Sequence, residues 1–376
     1  MLAPPHIPAD LAKLDAFFPI LPTLGNRWAQ SRPWEGITVG LHLHLTTLTL
    51  ALVRELVLGG GTWVVSAANP ATTDMGVVTY LRSLGVEVHS GGGVKDGVEA
   101  TVAAGPLLFA DVGFALAEAL LQSNILPRAG VEITRSGITR LRAAGPLPFP
   151  IMNINDGQLK PAIENRRGVG EGLWPGFTAL TGMHLSGRRV AVLGYGPVGA
   201  GVASFARAAG ASVEVVETDA PRRLIAHYDG FPTPAADAAL ARAQIVVTAT
   251  GVRHTLSALA MCHIHDGAVL LSAGHGGDEI ATDWLRTEAE SIDNVGPRVV
   301  RYRLGDGRHL TVLADGNPLN IVLNSGSPEP VLLHFAILGL ALEWLARNAA
   351  APGELPLPAE IETDAAAIAL ATLGVG

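Results

Sequence analysis

Apolar and polar residues follow two different periods along the first third of the chain. Between residues 36 and 130, "TWVVSAAN", "VEVHS" and "PLLFADVG" are apolar runs of strand length, whereas "TTDMGVVTYLRSLG" repeats its apolar positions at helical spacing. Strands alternating with helices predict a parallel sheet with helices on its faces. The longest apolar run, "LHLHLTTLTLALVRELVLGG", is interrupted by His42, His44, Arg54 and Glu55. It falls short of the roughly 20 clean residues a membrane span needs, so it reads as a buried helix and no membrane partner is expected.

The pattern restarts at "GRRVAVLGYGPVGAGVASFARAAGASVEVVETDA". A strand from Val190 to Leu193 meets Gly194-x-Gly196-x-x-Gly199, with Pro197 and Val198 inside the motif. A helix follows to about Ala209, and a second strand, Val213 to Glu217, ends on an acid. In that setting the glycines permit a tight turn and a close approach to a pyrophosphate, which sits at the positive end of the helix. Glu217 would accept hydrogen bonds from both ribose hydroxyls and repel a 2′-phosphate, so the expected cofactor is NAD rather than NADP. "QIVVTATG" and "AVLLSAGHGG" are apolar strands running into small residues, among them Thr250, Gly251, Ala273 and Gly274. Open α/β sheets bind ligands at such ends.

Some 150 residues precede this unit, and a helical stretch around "PVLLHFAILGLALEWLARN" follows it. The expected fold is therefore α/β, with a Rossmann NAD-binding domain inserted between the N- and C-terminal parts of a second α/β substrate domain. The boundaries read as residues 1–155 for the first part of the substrate domain, 156–170 for a hinge, 171–325 for the NAD domain and 326–376 for the helical return.

Polar groups collect at predicted strand ends: Asn69, Asp111 and the glycine-flanked His275. In "NINDGQLKPAIENRRG", Lys160 and Glu164 are four apart and share a face if the piece is helical. One reading is a surface ion pair worth roughly 1 kcal/mol or less. The other is a lysine tuned to take a proton from a hydroxyl while hydride leaves for NAD. His42 with His44, and "CHIH" at Cys262–His265, have the look of metal spacing without a full ligand set; no metal is expected. Charged residues make up 16% of the chain, the net charge is −8, and Lys/Arg clusters are missing, which argues against nucleic acid as a partner. A single cysteine and no signal-peptide pattern at the start fit a cytoplasmic protein.

Several segments in order resemble the S-adenosylhomocysteine hydrolase family: "NINDGQLKPAIEN", "GYGPVGAG", "AGHGGDEI", "RYRLGDGRHLTVLADG" and Asn320. The similarity runs from "VGLHLHLTTLT" to "LPAEIETDAAAIALATLGV". It implies that tightly held NAD oxidises a nucleoside 3′-hydroxyl, that the acidified 4′ hydrogen is lost and expels the 5′ thiolate, and that water then adds and hydride returns. Carried over by position, the resemblance makes Lys160 the base at the 3′-hydroxyl, with Glu164 orienting it and His275 nearby. His44 and Asp111 match the acid/base residues near C4′ and C5′. Thr46, Asn69, Asp74, Asn155 and Ser327 fall on the substrate side, while Asn165, Thr134 and Asn320 fall on the NAD side with the glycine loop.

The departures are specific. The family's adenine-contacting acid is Leu48 here, its nearby glutamine aligns with Asp74, and its gating histidine becomes Ser327. In "EITRSG", Ile133 stands where a 2′-hydroxyl-binding glutamate is expected, with Glu132 one place away; Arg135, Ser136 and Val169 replace two threonines and a cysteine. No counterpart of the family's last segment, which reaches a neighbouring protomer's NAD, follows "LGVG"; weaker NAD retention and an altered homodimer or higher homo-oligomer are expected. Redox groups kept and base-reading groups changed suggest an adenosylhomocysteinase-like enzyme with S-adenosylhomocysteine or a related nucleoside as substrate. A dehydrogenase with net NADH release and a non-catalytic sensor of NAD or nucleoside are the alternatives.

Overall fold

The computed structural model describes residues 9–274 and 278–374. The chain forms two compact units, one made of the residues up to Lys160 together with those from Pro328 onward, the other of Pro161–Ser327.

The first unit holds strands β1 (Thr38–Leu43), β2 (Thr62–Ala67), β3 (Glu87–His89), β4 (Leu108–Asp111), β5 (Ala129–Glu132) and β6 (Pro150–Asn153). The second holds β7 (Arg189–Leu193), β8 (Ser212–Val216), β9 (Ile245–Thr248), β10 (Val269–Ser272), β11 (Ala289–Gly296), β12 (Val299–Leu304) and β13 (His309–Leu313). Strand β14 (Gly353–Pro356) returns to the first unit. This is the α/β fold with an inserted Rossmann unit that the pattern predicts.

In the first unit the sheet order is β14-β6-β5-β4-β1-β2-β3, and every pairing is parallel. The order reverses between β1 and β4. At such a switch point the strand ends splay apart and leave room for a ligand. Strands β1, β4, β5 and β6 are buried on both faces, which is why they read as continuous apolar runs rather than alternating ones. The helix Glu329–Arg347 is long and apolar enough to cross a membrane, yet it serves as a core helix. Leu332, Ala336, Ile337 and Leu338 join Val39, Leu41 and Val131 in one hydrophobic cluster.

One expectation is corrected here. The run from Leu41 to Gly60 is not a single helix: Leu41–Leu43 closes β1, and the helix is Thr47–Leu58. The break comes from Thr46, which adopts extended geometry and accepts the amide of Thr49 at 3.4 Å through its side chain, giving one orphan N–H of the helix start a partner. Strand and helix are both buried, so hydrophobicity alone could not reveal where one became the other.

In the second unit the order is β11-β12-β13-β10-β9-β7-β8, parallel from β13 to β8 and antiparallel through β11, β12 and β13. Its switch point lies between β7 and β9. A wide helix with i→i+5 winding, Lys160–Val169, leads into the helix Gly170–Thr181. This second helix packs on the helix Pro197–Ala208 with no side chains between their backbones: a Cβ on Gly170 would lie 2.5 Å from the carbonyl carbon of Gly201.

Candidate active site

At the carboxyl edge of the first sheet, polar residues after several strands hold the loops that follow. Asn69 accepts the amide of Ala71 at 2.9 Å, and Asp74 accepts Gly76 and Val77 at the start of the helix Met75–Ser83. Thr134 caps the helix Arg135–Ala143 through the amide of Gly137. Each of these side chains, expected at a ligand, also caps a helix or turn start.

His44, just past β1, places Nδ1 2.7 Å from the Thr72 hydroxyl, which itself donates to the Asn69 carbonyl at 2.9 Å. A hydroxyl has one proton to give, so Thr72 accepts from His44 and Nδ1 carries the ring proton. Nε2 is then the basic nitrogen. His42 lies inside β1 and pairs with Ser66 at 2.9 Å, consistent with a core histidine. Among the described residues no group of three or more His, Cys, Asp or Glu could hold a metal ion.

Asp111 and Glu132 end the adjacent strands β4 and β5 in direct register, and both are fully buried. Asp111 accepts the amides of Val112 and Ala117, each at 2.8 Å. Glu132 accepts Gly113 (3.2 Å), Phe114 (2.9 Å) and the amide and hydroxyl of Thr134 (2.8 and 2.7 Å). Both carboxylates are thus held at the ends of their strands by the amides of the loops that follow. Burial pushes Glu132 up to about 7 against the pull of its amides, and burial together with Glu132 raises Asp111 well above the carboxylate range.

This pair carries a stability prediction. A carboxyl raised in the folded state binds its proton more tightly there than in the unfolded chain, so its contribution is full below about pH 4.5 and declines as pH rises to about 7. For Glu132 alone the decline amounts to about 3 kcal/mol. Urea midpoints of the wild type should fall between pH 5 and pH 8, and Glu132→Gln should show a shallower fall. Equal wild-type midpoints at the two pH values would contradict this.

Beyond β6, Asn153 donates to Asp156 at 3.0 Å and Glu354 at 2.8 Å, and Asn155 donates to Asp156 at 2.8 Å. Arg142 closes the cluster onto Asp156 and Glu354 at 2.9 and 2.6 Å. The loop so fixed delivers Lys160, which is 7% exposed, as the last residue of the first unit. Glu164, Asn165 and Ser327 belong to the second unit, where Glu164 and Asn165 lie half-buried on the wide helix. His275 lies outside the described residues.

In the second unit the glycine loop has the form a dinucleotide needs. Gly194 has φ +98°, which a side chain would strain, and a Cβ on Gly199 would fall 2.0 Å from the Gly194 oxygen. A Cβ on Gly196 would meet nothing within 4 Å, so the space over its backbone is open to a phosphate. The helix Pro197–Ala208 has no side-chain cap, which leaves the amides of Val198 and Gly199 for an anion. Glu217 follows β8 and accepts the amide of Tyr195 in the loop at 2.7 Å and those of Thr218 and Asp219 at 2.8 and 2.9 Å. A carboxylate accepts about four hydrogen bonds, so loop amides take most of its capacity in this structure.

Asn320 has a buried Oδ1 with no partner among the described residues, as suits a residue that receives a carboxamide. Glu279, which sequence reasoning missed, is fully buried. It accepts the amides of Thr250 (2.9 Å) and Gly251 (2.8 Å) and lies under Gly274, where a Cβ would be 1.4 Å from its Oε1. It thus ties the loops after β9 and β10 together beside Ala273. An acid between Asp278 and Ile280, two places after a pair of glycines, was its only trace in the sequence. The residues present fit NAD.

Residues 165–326 match the family model of the S-adenosyl-L-homocysteine hydrolase NAD binding domain. The chain is 32% identical to the S-inosyl-L-homocysteine hydrolase of Methanopyrus kandleri, over 95% of this chain and 88% of that protein. It is also 32% identical to the adenosylhomocysteinase of Thermococcus kodakarensis, over 98% and 92%. Among solved structures, a dipicolinate synthase chain from Bacillus halodurans superposes with a TM-score of 0.52 at 13% identity, covering 84% of this chain and 100% of that one, a likeness of fold.

Proposed function

The chain belongs to the S-adenosyl-L-homocysteine hydrolase family of NAD-dependent enzymes, and from that premise we propose that it cleaves or forms the 5′-thioether of a purine nucleoside and homocysteine by transient oxidation at C3′. The observation that carries this reading is Lys160, an almost fully buried lysine fixed by the Asn153–Asp156 loop at the carboxyl edge of the sheet.

NAD, when bound, supplies the hydride acceptor at C3′ and the hydride that later returns. Lys160 takes the hydroxyl proton, with Glu164 orienting it. His44 handles the proton at C4′ through Nε2, the nitrogen left basic by its bond to Thr72. Asp111 and Glu132 hold the loop Val112–Ala117 in place behind the site. Gly196, Val198, Gly199, Glu217 and Asn320 hold the cofactor.

The base-reading side favours hypoxanthine over adenine. Leu48 offers no acceptor for an exocyclic amino group, whereas Asp74 spends only its Oδ1 on the amides of Gly76 and Val77. Purified protein mixed with S-inosyl-L-homocysteine should show transient NADH without added cofactor, and S-adenosyl-L-homocysteine should react about tenfold more slowly or worse. The reverse preference would refute the base assignment. NADH released in step with turnover would point to a dehydrogenase, and no NADH with either thioether would remove the reading altogether.

A further inference from the structure

Tyr195 stands between the first two glycines of the cofactor loop, Gly194 and Gly196. The start of the loop is fixed through its backbone, Gly194 donating to the Val216 carbonyl at 2.8 Å. Beyond that point two glycines, one of them at φ +98°, give the chain more conformational freedom than other residues would. An anion site made of amides needs them aimed before the ligand arrives, because ordering a loose loop on binding subtracts from affinity. Tyr195 supplies the only side chain between those glycines. It is 5% exposed and belongs to a hydrophobic cluster of the second unit.

Its contacts close a circuit. The amide donates to Glu217 Oε2 at 2.7 Å, and the hydroxyl donates to Asp229 Oδ2 at 2.7 Å. The ring meets Phe231 edge-on, with centroids 5.8 Å apart and planes at 62°. Asp229 and Phe231 lie in the turn after the helix Ala220–Tyr228. That turn is held in its own right by Arg207, whose guanidinium lies 4.0 Å from the Phe231 ring centre and donates to the Asp229 carbonyl at 2.7 Å. Arg207 stands in the last turn of Pro197–Ala208, the helix that the glycine loop opens. The circuit thus runs from the loop through Tyr195 to the turn, and through Arg207 back along that helix. A phenylalanine would pack on Phe231 as well; the hydroxyl alone reaches Asp229. Burial and the Asp229 carboxylate push the phenol above its ordinary range, so the hydroxyl keeps its proton and donates. A hydrogen bond to a carboxylate is among the stronger kinds.

We propose that Tyr195 is a positioning residue for the cofactor: its hydroxyl on Asp229 and its amide on Glu217 hold the glycine loop in its binding shape before NAD arrives. The inference rests on the reading that this loop carries the pyrophosphate.

The test is calorimetric titration of NAD into the full-length chain freed of cofactor, beside thermal melting of the same samples. Tyr195→Phe should bind NAD about tenfold more weakly. Asp229→Ala should do the same, and the double variant should be no weaker than either single one, because both remove one bond. Asp229→Asn keeps an acceptor for the phenol and should bind within about threefold of wild type. A purely structural bond would lower the melting temperature and leave NAD affinity alone. NAD affinity in Tyr195→Phe within twofold of wild type therefore overturns the proposal whatever the melting temperature, and so does a double variant weakened by the product of the two single effects. Gly196→Ala is the control for the underlying reading. If it weakens NAD binding and Tyr195→Phe does not, the loop carries the pyrophosphate and the positioning role alone falls. If neither weakens it, the reading of the loop falls and the proposal with it.

Discussion

Lys160→Met should slow substrate-driven reduction of bound NAD by about 10³-fold, roughly 4 kcal/mol of barrier, while NAD content and melting stay close to wild type. Methionine matches the length of the lysine stem and removes its amine, so a side chain that is 93% buried is replaced without a void. Lys160→Arg is the sharper variant. It keeps a cation, but a guanidinium is not deprotonated in a protein and cannot take a hydroxyl proton at neutral pH. A purely structural cation would tolerate arginine, whereas a base would not. The chain uses lysine three times among its 26 basic Lys and Arg residues, so a lysine at this buried place is an exception to its own habit. Single-turnover absorbance of NADH decides the matter: an arginine variant within tenfold of wild type would exclude Lys160 as the base.

Gly199→Ala and Gly196→Ala should separate fold from cofactor. At Gly199 the new methyl would lie 2.0 Å from the Gly194 oxygen and 2.9 Å from its carbonyl carbon, both backbone atoms that no rotamer can move. The turn must shift, at a cost on the order of 3 kcal/mol, and NAD affinity should fall roughly 100-fold or more with a lower melting temperature. At Gly196 the methyl would meet no protein atom within 4 Å, and φ −73° suits alanine. That variant should melt like the wild type without cofactor yet bind NAD more weakly, because the methyl occupies the space over the loop. Isothermal titration with NAD, paired with melting of the cofactor-free protein, distinguishes the two. Equal NAD affinity in Gly196→Ala and wild type would mean that the pyrophosphate lies elsewhere.

The Rossmann unit was legible because its signals are local: β7, the glycine turn, the helix Pro197–Ala208 and Glu217 all fall within about thirty residues. The first unit was less so. The junction at Thr46 lies inside a run that is apolar on both sides, and no hydrophobic period marks it. Asn69 stood out for its polarity at a strand end, and Asp74 and Thr134 were assigned to ligands through the resemblance alone. Helix starts select the same residue types, so sequence could not separate capping from binding. Asp111 was placed correctly on its strand, but its enclosure by amides depends on the turn from Val112 to Ala117 and on Glu132 across the sheet. The Glu354 carboxylate that receives Asn153 left no local trace either, because the two lie 201 positions apart in sequence.

That distance is general in the first unit and bears on how the protein is made. Strand β6 ends at Asn153 and pairs with β14, and the helix Glu329–Arg347 packs on β4 and β5. On the ribosome, β4 to β6 emerge with one edge unpaired and one face bare, and remain so while the entire Pro161–Ser327 unit is synthesised. At about 5–20 residues per second this lasts on the order of ten seconds or more. The inserted unit has all its strands in hand by residue 327 and can fold first, whereas the outer unit waits on contacts of high sequence separation, which close slowly. Overexpression should therefore fail through aggregation of half-made outer units, and supplying residues 328–376 in trans to a chain ending at Ser327 would be the direct way to rescue them.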